Sequence, residues 1–214
     1  MKYYIIILSS ALLFSSCSWV QENVWGSAES KLDKTTIEES NNNLFELDGI
    51  FYSEKGIDIT SSEINFEIEG LSETKGRFKS FDINLTSSPK DKSLSIYVSI
   101  NANSIFTDNE MRDEHLLNED FFNTENFPLI AFKSSDIIQT DSCFLAQGKL
   151  SLVGNDSKLT LPFNYLGTSK NLEGNDIYIF EGEIEFDRTK FGMSEAESVG
   201  NLVTLKFYIE LSKK

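Results

Sequence analysis

At 214 residues the chain has room for one domain and a tail, and 40% hydrophobic and 12% aromatic content supports a packed core, which excludes a wholly disordered protein. With 34 Asp and Glu against 19 Lys and Arg, the net charge is −15. That excess argues against nucleic acid as a partner and against electrostatic docking on anionic lipid, because both need clustered basic residues.

Residues 1–16 read as a secretory signal. Lys2 gives the positive start, and Tyr3 to Phe14 is apolar apart from Ser9 and Ser10, too short to span a bilayer. Ser15 and Ser16 then precede Cys17, so Leu13-Phe14-Ser15-Ser16-Cys17 resembles a bacterial lipobox. The resemblance implies cleavage before Cys17, lipidation of its sulfur, and a protein held at the bacterial envelope by this anchor, facing the periplasm. Residues 17–44 shift to Ser, Glu, Asn, Gln, Lys and Thr with little periodicity, the composition of a flexible tether. Trp19 and Trp25 interrupt it and suit either headgroup depth or open solvent. The domain is expected over 45–214. Cys143, in an apolar stretch, reads as a small buried side chain.

From residue 64 onward the pattern has period two. Ile64, Phe66 and Ile68 alternate with polar residues, as do Phe81, Ile83 and Leu85. Leu94, Ile96, Val98, Ile100 and Ala102 form the clearest apolar face. Thr107-Asp108-Asn109-Glu110 reads as a capping box, with Thr107 as the cap, opening a short helix through Met111 to about Asn118. Phe121 lies one turn beyond Leu117 and extends the helix's apolar edge. Phe127-Pro128 ends the excursion. Strand-like runs follow at 128–138, 143–153, 157–166 and 176–187, and the last places Val203, Leu205, Phe207, Ile209 and Leu211 on one face. Turn residues such as Gly154-Asn155-Asp156 separate these runs, so about eight antiparallel strands are expected. Alternation alone does not choose between a sandwich and a closed barrel.

Residues with evident chemistry are few. His115 is the single histidine, which nearly excludes a catalytic triad or a His-rich zinc site, and no glycine-rich phosphate loop follows a strand. Asp108, Asp113, Glu114, His115, Glu119 and Asp120 cluster, but without the spacing of a calcium loop, so no metal and no cofactor is expected. The chain carries three arginines, Arg77, Arg112 and Arg188. Arg112, His115 and Arg188 are candidate contacts for a polar head group. The competing reading is that Arg112 and Arg188 pair with nearby carboxylates and pin loops.

Several motifs in order resemble one family. Ser62-Glu63-Ile64-Asn65-Phe66-Glu67-Ile68 and Lys75-Gly76-Arg77-Phe78 are followed by Ser104-Ile105-Phe106-Thr107, Met111-Arg112-Asp113-Glu114-His115-Leu116 and Glu119-Asp120-Phe121-Phe122. Phe127-Pro128-Leu129-Ile130-Ala131-Phe132-Lys133-Ser134, Gly148 to Gly154 and Asp187-Arg188-Thr189-Lys190-Phe191-Gly192 complete the series. The run from Ser61 to Lys213 resembles the YceI family, lipocalin-like proteins associated with polyisoprenoid binding. One departure is Gly70, at a position where many members carry His. The resemblance implies an all-β fold, an eight-stranded antiparallel lipocalin-like β-barrel with one short helical excursion. It also implies a non-catalytic carrier of a long-chain amphiphile, a polyisoprenoid or similar lipid. The inward faces would then supply the wall: Phe66, Ile96, Val98, Ile100, Phe132, Phe163, Phe186 and Phe207, with Phe121 covering one end. The alternative is an envelope stress-related or structural adaptor with a packed core, acting through its surface. The oligomeric state stays open, a homodimer included.

Overall fold

The computed structural model describes residues 43–53, 62–70, 73–171, 173–195 and 199–214. The expected signal peptide, Cys17, Trp19, Trp25 and most of the expected tether lie outside these residues. Eleven strand segments form β1 (Gly49–Tyr52), β2 (Glu63–Gly70), β3 (Thr74–Phe78), β4 (Phe81–Ser88), β5 (Ser93–Asn101), β6 (Ile105–Phe106), β7 (Leu129–Gln139), β8 (Phe144–Leu152), β9 (Asn155–Lys170), β10 (Asp176–Asp187) and β11 (Val199–Lys213). The helix α1 spans Glu110–Leu117.

The segments build eight barrel strands. β1 and β2 lie one after the other along β11, through Phe51↔Lys213 and Phe66↔Leu205. β3 and β4 are separated only by residues 79–80 and pair with β2 and β1 respectively. β5 and β6 are joined by a turn of 3-10 helix over Ala102–Ser104 and pair with β4 and β3. β7 to β11 follow as a simple meander, and the β1–β11 pairing closes the ring. All pairings are antiparallel, as short connections require. The fold is an eight-stranded closed antiparallel barrel with a single α-helix, as the alternation and the family resemblance together imply. The short segments β1, β3 and β6 are absent from the sequence reading. Each is four or five residues or fewer, too short for a period-two count.

Inward side chains divide the interior into two halves. In the lower half aromatic rings meet directly, Phe144 with Phe163 at 5.4 Å, Tyr165 with Phe180 at 5.1 Å and Phe51 with Tyr178 at 4.6 Å between centroids. Leu44, the last residue of the expected tether, is fully buried in this core beside the short 3-10 turn that it opens. Cys143 is buried and is not a free thiol. The upper half is covered by α1, the segment 118–128 and a 3-10 turn over Arg188–Phe191.

The helix is where expected, but its cap is not. Asn109, not Thr107, caps α1, its Oδ1 accepting the Arg112 N–H at 3.1 Å. Thr107 is turned the other way: its N–H donates to Asp113 Oδ1 at 2.9 Å and its hydroxyl meets the same oxygen. Arg112 completes the knot, Nε donating to Thr107 Oγ1 at 2.8 Å and Nη2 to its carbonyl at 2.7 Å. Between them Asp108 takes φ 59°, a left-handed conformation that places Asn109 at the start of the helix.

Candidate functional site

The upper half of the barrel encloses a cavity of about 140 Å³, with no polar atom facing it. β2 supplies Ile64, Phe66 and Ile68, β5 supplies Val98 and Ile100, and β7, β9, β10 and β11 add Phe132, Leu161, Phe186 and Phe207. Leu116 of α1, Phe121, Phe122 and Met193 close the upper end. The stacked aromatics of the lower half do not line the cavity.

Three glycines hold the void open. The rings of Phe66, Phe132 and Phe207 line the cavity, and each passes over a glycine of a neighbouring strand. A Cβ placed on Gly76 would stand 2.4 Å from the Phe66 ring, one on Gly148 2.7 Å from Phe132, and one on Gly182 2.3 Å from Phe207. A larger residue at Gly76 would displace side chains alone, the Phe66 ring first, whereas at Gly148 and Gly182 it would also meet backbone oxygens.

Seven of the nine apolar residues nominated from sequence line this cavity: Phe66, Val98, Ile100, Phe121, Phe132, Phe186 and Phe207. Ile96 and Phe163 also point inward and are buried, but they belong to the packed lower half and take no part in the wall. His115 lies outside the lining, its side chain 61% exposed and its ring edge-on to Phe121 at 5.2 Å. Arg112 faces the exterior, with Nε and Nη2 donating to Thr107.

Arg188 is the buried exception, 1% exposed and among the residues that line the cavity. Its guanidinium donates to carbonyl oxygens rather than to carboxylates: Gly200 at 2.9 Å, Ser194 at 2.6 Å and Val199 at 3.3 Å. The expected pairing of Arg112 and Arg188 with carboxylates is therefore not made among the described residues, yet both do pin loops. For Arg188 the ties join the end of β10 to the start of β11. Burial pushes its pKa down, opposed by Asp187 and Glu195. The ring of Phe121 sits 5.8 Å from the guanidinium carbon.

The glycines under the rings were not found by reading the sequence. The signal was present: Gly76, Gly148 and Gly182 each interrupt an inward-facing set, and Gly76 and Gly182 stand directly opposite Phe66 and Phe207 in register.

This arrangement, an antiparallel barrel with an apolar upper cavity under a helical cover, coincides with a match to the YceI-like domain over residues 56–211. The chain belongs to the YceI-like domain family. A UPF0312 protein of Staphylococcus epidermidis is 32% identical over 152 residues, which cover 68% of this chain and 86% of that one. A UPF0312 protein of Staphylococcus aureus is 33% identical over 137 residues, covering 62% and 78%. Among solved structures the fold is shared with Burkholderia cenocepacia BcnA at TM-score 0.62 and 20% identity, over 74% of this chain and all of that one. The Campylobacter jejuni YCEI protein gives TM-score 0.60 and 22% identity over 76% and 94%. A polyisoprenoid binding domain from Saccharophagus degradans, implicated in plant cell wall breakdown, gives 0.55 and 14% over 76% and 98%. These solved structures share the barrel at 14–22% identity.

Proposed function

We propose that the barrel binds the hydrocarbon part of an amphiphile, a polyisoprenoid or similar lipid, in its upper cavity, and that it does so without catalysis. The observation that carries this reading is the cavity itself: a void with no polar atom on its wall, in a barrel whose other half is occupied by stacked aromatic rings. An apolar chain entering it leaves water at about 25 cal/mol per Å² of apolar surface. The polar atoms of Arg188 are already bonded to loop carbonyls, so a polar head would remain outside the wall. The polyisoprenoid binding of the Saccharophagus degradans domain, which shares this fold, supports the choice of ligand class.

Volume sets the terms. A dry void of roughly 150 Å³ takes a group the size of benzene, so the 140 Å³ here holds the leading end of a chain, and a longer guest enters only as rings swing aside. The same number favours a second reading, a filled core and a protein acting through its surface as an envelope adaptor, because ligand pockets commonly span about 300–1,000 Å³. We further propose that Cys17 is lipidated and tethers the barrel to the envelope, on its periplasmic side. Acylation and a disulfide to Cys143 would compete for the one Cys17 sulfur. Replacing Val98 with Trp separates the two readings. In a binding barrel it fills the void, abolishes uptake of a fluorescent apolar probe and leaves stability close to the parent. In a core that needs no guest, it costs about 1–3 kcal/mol through overpacking, and no probe uptake is seen in either protein.

A further inference from the structure

The outward face of β3 is a row of cations. Lys75 and Arg77 alternate with the inward Thr74, Gly76 and Phe78, and Lys79 follows directly after the strand, within a chain of net charge −15. Their neighbours give them different tasks. Lys75 is held by Glu73 at 3.0 Å and Glu67 at 3.2 Å. Arg77 stands in register between Asn65 of β2 and Phe106 of β6, so no carboxylate lies directly across from it. Its guanidinium carbon is 5.3 Å from the centre of the Phe106 ring, and Lys79 Nζ is 3.4 Å from the same point. Among the described residues neither Arg77 nor Lys79 forms an ion pair.

Arg77 and Arg112, two of the chain's three arginines, line one open groove of about 650 Å³, with Phe106, Thr107 and Asn65 between them. Thr107 fixes the Arg112 guanidinium through Nε and Nη2 and leaves Nη1 for another partner. Lys75, Arg77 and Arg112 face two carboxylates in the groove, Glu73 and Asp108, and Glu73 is already held by Lys75. The groove lies on the outside of the barrel, and none of its residues lines the apolar cavity.

We propose that this groove binds a phosphate group, held by Arg77 and Arg112. A guanidinium presents paired N–H donors that match phosphate oxygens, and a fixed one loses less freedom on binding than a free lysine. The surrounding acidic surface does not cancel the site, because fields between exposed charges fade over roughly 8–10 Å at physiological salt. Phosphate could arrive free or as the head of a lipid, and the two sources are separable.

The test is an amide chemical-shift titration of the full chain with inorganic phosphate and, separately, with water-soluble dihexanoyl phosphatidic acid. Saturable shifts at residues 77, 106 and 112 with both probes support the proposal and show that phosphate alone suffices. Shifts there with the lipid alone support it with a lipid head as the source. Arg77→Gln should weaken binding about tenfold, Arg77→Lys less, and the distant Lys158→Gln not at all. Repeating the titration in Val98→Trp keeps the groove separate from the cavity, since groove shifts should persist there. Absence of saturable shifts in the groove, or equal weakening by Arg77→Gln and Lys158→Gln, overturns the proposal.

Discussion

Gly76→Ala probes the cavity from the wall inward. Gly76 sits opposite Phe66 in register, and a Cβ there would lie 2.4 Å from Phe66 Cζ and 2.8 Å from Thr107 Cγ2, where ordinary contact begins at 3.4 Å. Thr107 is fixed by Asp113 and Arg112, so the ring is the part that moves, by about 1 Å or more toward the void. Only side chains obstruct this Cβ, whereas at Gly148 and Gly182 backbone oxygens stand at 2.4 Å and 2.6 Å. Overpacking of this kind costs about 1–3 kcal/mol, offset by about 0.4–1 kcal/mol from the stiffer unfolded chain. The void can take up the displaced ring, so a net loss near 1 kcal/mol is expected together with a marked loss of apolar-probe binding, read by fluorescence titration and urea unfolding. Adding Phe66→Leu should restore binding in the double variant. If Gly76→Ala binds probe as tightly as the parent, the glycine–ring pairs do not shape the cavity.

Asn109→Ala should cost about 0.5–2 kcal/mol through loss of the helix cap, and Asp108→Ala should also lower the urea midpoint, because alanine takes the φ 59° conformation less readily than aspartate. Arg188→Met removes the donors to Ser194, Val199 and Gly200, and each acceptor left buried and unsatisfied costs about 1–3 kcal/mol; faster amide exchange across 199–201 would locate the loss. Burial pushes the Glu183 carboxyl up, and its Oε2 has no hydrogen-bond partner among the described residues. An acid whose pKa is raised on folding stabilises the protein below its ordinary value and loses that stability as pH rises through the raised one. Glu183→Gln should therefore unfold at higher urea than the parent above neutral pH, and the gap should close in mild acid. Cys17→Ser should move the protein from the membrane fraction to the soluble one, and persistence on membranes after a high-salt wash would rule out lipidation as the anchor.

Much of this fold was legible because one face of every long strand is buried, and period-two alternation records that directly. Ile96, Val98 and Ile100, or Leu205 and Phe207, declare their side of the sheet without help. Broken strands were harder. β3 reads Thr-Lys-Gly-Arg-Phe, whose inward glycine hides the alternation because the residue filling its place is Phe66 from the next strand. The cap was misassigned because a Thr three residues before Glu suits a capping box, while the tertiary partners Asp113 and Arg112 are invisible to a local pattern. The placing of Ile96 and Phe163 outside the cavity depends on how deep each residue lies along the barrel axis, which inward direction alone does not give. Arg188 reads as exposed by its charge, and only the β10–β11 connection shows the carbonyls that accept it.

Mass spectrometry of the organic extract from full-length protein, purified from a cell with membranes, bears most directly on whether the barrel is a carrier. A binding barrel predicts one class of long-chain amphiphile at near-stoichiometric amount in the parent and its absence from Val98→Trp of equal stability. An extract with no amphiphile above background in either protein, together with a destabilised Val98→Trp, would contradict the account and leave the barrel as a packed core.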